Sequence, residues 1–252
     1  MPLLLQISAS LSLTIASCVN FAILLLALEG FSLLLYVVTT IDRSHGGVVA
    51  AVKYFTFGTL GSIFLLWGVV HLYTLAPSLA YNTTRLLYDY NNLITNEMSN
   101  SLEFCSTVIL IGLLIKLGAA PLHQWVPDVY SGAPLLITAL FATIVKLLIF
   151  SVFLRVGYIM NNGLVVDLFA ICSLLVGSFI TLQQVEIKRF LAYSSITHVG
   201  FLLIGDLSAS FIYLLTYLCS TLLFFSVLLT VKNYNHELVY LTDLRVLKKK
   251  SH

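Results

Sequence analysis

Residues 116–134 read KLGAAPLHQWVPDVYSGAP. They close an apolar run, 104–131, that is long enough to cross a membrane. A single straight helix is impossible there, because Pro121 and Pro127 both fall inside the run. Pro121 has no backbone N–H, and its ring clashes with the carbonyl four residues earlier, that of Leu117. Gly118, Ala119 and Ala120 leave room for distorted backbone and for water. Non-helical backbone at membrane depth is tolerated only inside protein or against a watery cavity, and transporters build ion sites from such broken helices. The simpler reading is a proline kink with a snorkelling lysine. Against it, Lys116 lies about 12 residues, roughly 18 Å, from the start of the run, too far for a lysine stem to reach water.

Three further ionisable residues lie midway through apolar runs: Glu29 in 20–40, Lys146 in 134–156 and His198 in 189–206. A charge at the bilayer centre costs about 3 kcal/mol on insertion scales, so such residues are rare and tend to be functional. The composition supports a membrane setting. Of 252 residues, 59% are apolar and 10% charged, with a mean hydropathy of +0.99, where a soluble domain carries about 25% charge. That excludes a soluble enzyme. No nucleophile triad, phosphate loop, metal cluster or nucleic-acid patch is visible, and Lys248–Lys250 read as a solvated membrane-flanking run. Cys18, Cys105, Cys172 and Cys219 are scattered without metal or redox spacing and read as small buried hydrophobes.

Apolar runs predict an all-α polytopic membrane protein of about eight spans, at 3–18, 20–40, 48–75, 104–131, 134–156, 163–184, 189–206 and 209–231. A first part, 1–156, holds the broken helix; 163–231 form a second part and 232–252 a basic tail. The segment 76–102 reads as a polar loop on one membrane face. With eight spans the termini share a side, which collects Arg43, Lys188, Arg189, Lys232, Arg245 and Lys248–Lys250, while Arg85 and Arg155 fall opposite. The positive-inside rule then puts the termini on the cytoplasmic or matrix side. No cleavable signal or transit peptide is seen at the N-terminus.

Lys146 has no acid on its own helix, and its charged form is costly to bury, so it can take up and release protons. His198 needs little tuning to titrate, with a hydrogen-bonded helix-packing histidine as the alternative. Glu29 calls for a cationic partner. Lys53, about five residues into the third span, is the expected one, since short-linked helices pack antiparallel; a purely structural ion pair is the alternative. His123, just past the break, could link Lys116 to Lys146 through water.

Four stretches carry a family resemblance: residues 116–134 with Lys146 beyond them, IKRFLAYSSITHVGFLLIG (187–205), ALEGFSLLLYVV (27–38) and VKYFTFGTLGS (52–62). Together they resemble the antiporter-like proton-pumping membrane subunits of respiratory complex I, nearest the N-type branch, NADH dehydrogenase subunit 2. The resemblance covers roughly residues 20–245. It implies two inverted five-helix repeats, each with a broken helix, and proton-transfer or coupling roles for Glu29, Lys53, Lys116, Lys146, His123 and His198. It also implies a mitochondrial inner-membrane chain without redox centres, with FMN, iron–sulfur clusters and ubiquinone held by other subunits, among membrane lipids and the remaining membrane-arm subunits. Relative to that family the chain is shortened at both ends. The second repeat lacks its broken helix, so a separate chain is expected to supply the missing C-terminal helices. Two other readings stay open: an Mrp-type cation/proton antiporter subunit, and a membrane-arm spacer that no longer pumps.

Overall fold

The computed structural model describes residues 2–41, 43–91, 96–160, 163–234 and 240. Among them the elements are helical: α1 (Pro2–Ser17), α2 (Phe21–Thr39), α3 (His45–Leu75), α4 (Tyr81–Asn91), α5 (Asn96–Leu117), α6 (Trp125–Gly132), α7 (Leu135–Leu140), a π turn (Phe141–Val145), α8 (Lys146–Met160), α9 (Gly163–Thr181), α10 (Ile187–Ile204) and α11 (Leu207–Tyr234). Six helical stretches in the described residues are long and apolar enough to span a bilayer: Phe21–Thr39, His45–Leu75, Asn100–Leu117, Leu135–Gly157, Gly163–Thr181 and Ser208–Val231. Of the predicted spans, α1 has 16 residues, and α10 carries Lys188, Arg189 and His198; neither is among these six. The predicted basic tail lies outside the described residues beyond Tyr234, apart from Tyr240.

The chain divides into two compact units. One comprises Met1–Val38, Phe55–Leu117 and Leu147–Asp167; the other comprises Thr39–Tyr54, Gly118–Lys146 and Leu168–His252. In the first, α5 is the central helix. Leu110, Leu113, Leu114 and Ile115 are wholly buried, as expected of a helix apolar on every side. Glycines let α3 reach its backbone: a Cβ on Gly112 would lie 2.9 Å from the Gly61 carbonyl oxygen, and one on Gly61 would lie 3.2 Å from that of Gly112. Helices associate in membranes through such small-residue contacts, because lipid offers no hydrophobic drive. Arg155 in the same unit donates to the carbonyls of Cys18 (2.7 Å) and Ala16 (2.6 Å), which occupies the C-terminal end of α1 with a cation.

The segment 76–102 is not a loop throughout. It contains α4 and the start of α5. Its polar composition concealed the helix, whose entry is secured by paired backbone bonds, Phe21 N–H to Leu79 and Tyr81 N–H to Val19, and by the Ser78 and Thr83 hydroxyls at 2.7 Å.

The second unit holds the break. The α5 helix stops at Leu117, the residue whose carbonyl Pro121 was expected to displace, and helix resumes at Trp125. Gly118 has φ +75°, and a Cβ there would collide with Val126; only glycine meets both conditions. The Ala120–Pro121 bond is cis. Pro127 does not break helix. It occupies the first turn of α6, where its missing N–H would have had no intrahelical acceptor. The α10 helix packs on α6 and α11, and α11 packs on α7 and the π turn.

Candidate functional site

Lys116 is buried, its side chain 6% exposed, and its Nζ lies 3.6 Å from a Glu29 carboxylate oxygen. It does not snorkel. The same carboxylate oxygen accepts the Ser62 hydroxyl at 2.5 Å. The close approach of α3 and α5 sets this geometry, since the Lys116 stem runs over Gly61, where a Cβ would lie 3.2 Å from Cγ. A buried ammonium, a carboxylate and a hydroxyl therefore meet in one unit.

Glu29, the partner expected for Lys53, is engaged by Lys116 and Ser62. Lys53 instead donates to Asp128 of α6 at 2.6 Å. The reason is axial rise. Ser62 marks the level of Glu29 on α3, and Lys53 precedes it by nine residues, roughly 13 Å along the axis. Both members of the Lys53–Asp128 pair are about two-fifths exposed, so the bridge carries little stability. At the other end of α6, Lys188 donates to the Ala133 carbonyl at 2.7 Å. With Asp128 in the first turn and Lys188 at the last, this eight-residue helix has charges that complement both ends of its dipole.

Lys146 is 5% exposed. Its ammonium meets a carbonyl rather than a carboxylate, donating to Ser195 O at 2.8 Å, and lies 5.6 Å from the centre of the Tyr217 ring. It follows directly on the π turn, a form of helix that recurs at functional sites. Within that turn the Ala142 carbonyl accepts the Tyr217 hydroxyl at 3.2 Å. Tyr217 also faces His198, ring to ring at 4.9 Å, and His198 Nδ1 lies 2.7 Å from the Tyr213 hydroxyl. A cavity of about 260 Å³ opens among Ser194, Ser195, His198, Tyr217, Ser220 and Thr221. Hydroxyls and an imidazole share its lining with Ala142, Phe190, Leu191, Phe224 and Phe225, and most of the lining surface is apolar. His123 Nδ1 lies 3.2 Å from the Pro121 carbonyl, and its ring meets Tyr193 edge-on.

The structure thus brings Glu29 to Lys116 in one unit, and gathers Lys146 with His198 in the other. Lys53 and His123 belong to that second unit beside the break. Sequence reasoning missed Asp128, Ser62, Ser195 and Tyr217. Asp128 lay within the quoted stretch, and its place in the first turn after a break was the available signal. The other three are ordinary residues in apolar runs and gave none. Among the described residues no cluster of His, Cys, Asp and Glu could hold a metal ion.

Comparison with known proteins agrees with this architecture. Residues 18–251 match the family described as NADH:quinone oxidoreductase/Mrp antiporter, transmembrane. The chain is 38% identical to NADH-quinone oxidoreductase subunit N 3 of Streptomyces griseus subsp. griseus, with 99% of this chain and 49% of that protein aligned. It is 35% identical to NADH-quinone oxidoreductase subunit N of Ruthia magnifica, over 90% of this chain and 49% of that protein. Among solved structures, respiratory complex I from Thermus thermophilus with bound aureothin contains a chain with TM-score 0.78 and 35% identity, over 90% of this chain and 50% of that one. The Mrp complex from Dietzia sp. DQ12-45-1b shares the fold, with TM-score 0.78 at 19% identity, over 86% of this chain and 42% of that one. The chain spans about half the length of the curated relatives it matches. This multi-pass, all-helical chain belongs to the NADH:quinone oxidoreductase/Mrp antiporter transmembrane family, as an N-subunit-like member.

Proposed function

We propose that the chain is a proton-translocating membrane-arm subunit of a mitochondrial NADH:ubiquinone oxidoreductase. The observation that carries this reading is the Glu29–Lys116 pair at 3.6 Å, with Lys116 buried one residue before α5 ends. A structural ion pair has no need of a helix break beside it. A proton carrier does, because the break exposes backbone polar groups that admit water at membrane depth. When charge changes elsewhere in the complex, the Glu29–Lys116 pair loosens and a proton moves. Lys146, whose ammonium donates to the Ser195 carbonyl, takes up and releases protons, and His198 extends that path. Lys53, held by Asp128, and His123 tune the region of the break.

The remaining parts of the proposal rest on the family likeness rather than on this geometry. The chain holds no redox centre, and FMN, iron–sulfur clusters and ubiquinone belong to other subunits. It sits in the mitochondrial inner membrane with its termini on the matrix side. The test is Lys116→Ala and Glu29→Ala in the assembled complex. Both should lower coupled NADH:quinone activity while the complex still assembles. Full pumping stoichiometry in either variant would refute the proposal. Sodium-dependent transport without an NADH-oxidising partner would mark the chain as an Mrp-type antiporter subunit instead. Retained assembly with no effect of any of these substitutions on pumping would mark it as a spacer.

A further inference from the structure

We infer that Ser173 is the positioning residue of the helix break: it holds the backbone at Ala120, so proton-linked function depends on a side chain that never carries charge. The Ala120 N–H donates to Ser173 Oγ at 2.9 Å, across 53 residues of sequence. Both residues are wholly buried. The hydroxyl proton of Ser173 is already committed to the Phe169 carbonyl at 2.7 Å. Its oxygen is therefore left to act as acceptor, and the Ala120 N–H is what it accepts. A serine in a membrane helix ordinarily makes only the first of these bonds, to the carbonyl four residues back. The second bond gives Ser173 a role beyond its own helix.

The rest of α9 shows that this contact is built in. The helix turns a single narrow stripe inward, Phe169, Ala170, Ser173 and Gly177, while Leu168, Ile171, Leu175 and Phe179 are each more than half exposed. Below and above Ser173 the stripe meets α10 at backbone distance. A Cβ on Gly200 would lie 3.0 Å from the Ala170 carbonyl oxygen, and one on Gly177 would lie 2.7 Å from the Thr197 nitrogen. The depth of the hydroxyl is therefore fixed on both sides. Pro121 prevents the break from closing into regular helix and Gly118 permits the left-handed turn there, but neither chooses where the freed backbone goes. In a membrane a freed N–H has few acceptors, and Ser173 supplies one at a single place.

This inference rests on the proposed function for its consequence, not for its geometry, and the test separates the two. Ser173→Ala, Ser173→Thr and Ser173→Cys are introduced into the assembled complex. Hydrogen exchange of peptides covering 118–124 and protons pumped per NADH oxidised are measured on each. Ser173→Ala should exchange in 118–124 about tenfold faster or more, the cost of one orphaned buried N–H, and should pump fewer protons. Ser173→Thr, which keeps the oxygen, should behave as the wild type in both. Unchanged exchange in Ser173→Ala overturns the assignment whatever pumping does, and so does equal behaviour of the Ala and Thr variants. Faster exchange with full pumping overturns the functional half. If Ser173→Ala does not assemble, Ser173→Cys, with its weaker sulfur acceptor, carries the same comparison, and wild-type exchange there is equally fatal. Failure of the proposed function is read elsewhere, from full pumping in Lys116→Ala.

Discussion

Glu29→Gln is the substitution whose consequences the structure lets one work out most closely. The amide still accepts from Ser62, but the negative charge 3.6 Å from Lys116 is gone. At an effective dielectric of about 20, attraction at that distance is roughly 4–5 kcal/mol. The Glu29 side chain is 40% exposed at the surface of this chain, which reduces the figure to about 2–3 kcal/mol. Lys116 has no such relief, being 6% exposed on its side chain. Removing only the carboxylate therefore leaves a buried ammonium uncompensated, and that costs more than removing both charges together. The assay is a double-mutant cycle on the assembled complex, reading the midpoint temperature for loss of assembly in detergent. Glu29→Gln should lower the midpoint more than Lys116→Met, and the double variant should be no worse than Glu29→Gln alone. The coupling expected is at least about 1 kcal/mol, as found for residues in contact. Strict additivity of the two substitutions would refute the reasoning, because it would mean that the ammonium and carboxylate do not share an interaction.

Gly112→Ala should be damaging without touching any charge: its Cβ would lie 2.9 Å from both the Gly61 oxygen and the Leu65 nitrogen, overpacking that costs about 1–3 kcal/mol, and assembled complex on native gels should fall. Tyr217→Phe keeps the ring against His198 but removes the donor to the Ala142 carbonyl; an unpaired buried carbonyl costs about 1–3 kcal/mol, so stability should drop measurably, whereas a wild-type midpoint would show that the bond carries nothing. Asp128→Asn should change stability by no more than about 1 kcal/mol, since both partners are well exposed; a larger loss would show that the pair is buried in the complex.

Much of this architecture was legible in the sequence, and for identifiable reasons. Span α2 was read as 20–40 and is Phe21–Thr39, because an apolar run of that length with one charge has one outcome in a membrane. The break after Leu117 was legible because proline acts through covalent geometry alone. The partner of Lys53 was misassigned because adjacency of two helices says nothing about axial level; that needs the nine-residue offset to Ser62, visible only once Glu29 is placed. The helix α4 was hidden because its entry is fixed by local bonds, the Tyr81 N–H to the Val19 carbonyl and the Ser78–Thr83 hydroxyl pair, rather than by apolar period. The π turn was invisible: FATIV is ordinary helix sequence, and its extra residue per turn is accommodated by tertiary partners such as Tyr217. Ser173 was unreadable for the same reason, since its second hydrogen bond crosses 53 residues.

The central claim is that buried amines in this chain carry protons. It is tested most directly by the number of protons translocated per NADH oxidised in the assembled complex bearing Lys146→Met. Lys146 is buried and donates to the Ser195 carbonyl, so methionine replaces its volume while removing the titrating group. The account predicts fewer protons per NADH in a complex that still assembles. A wild-type ratio in that complex would contradict it.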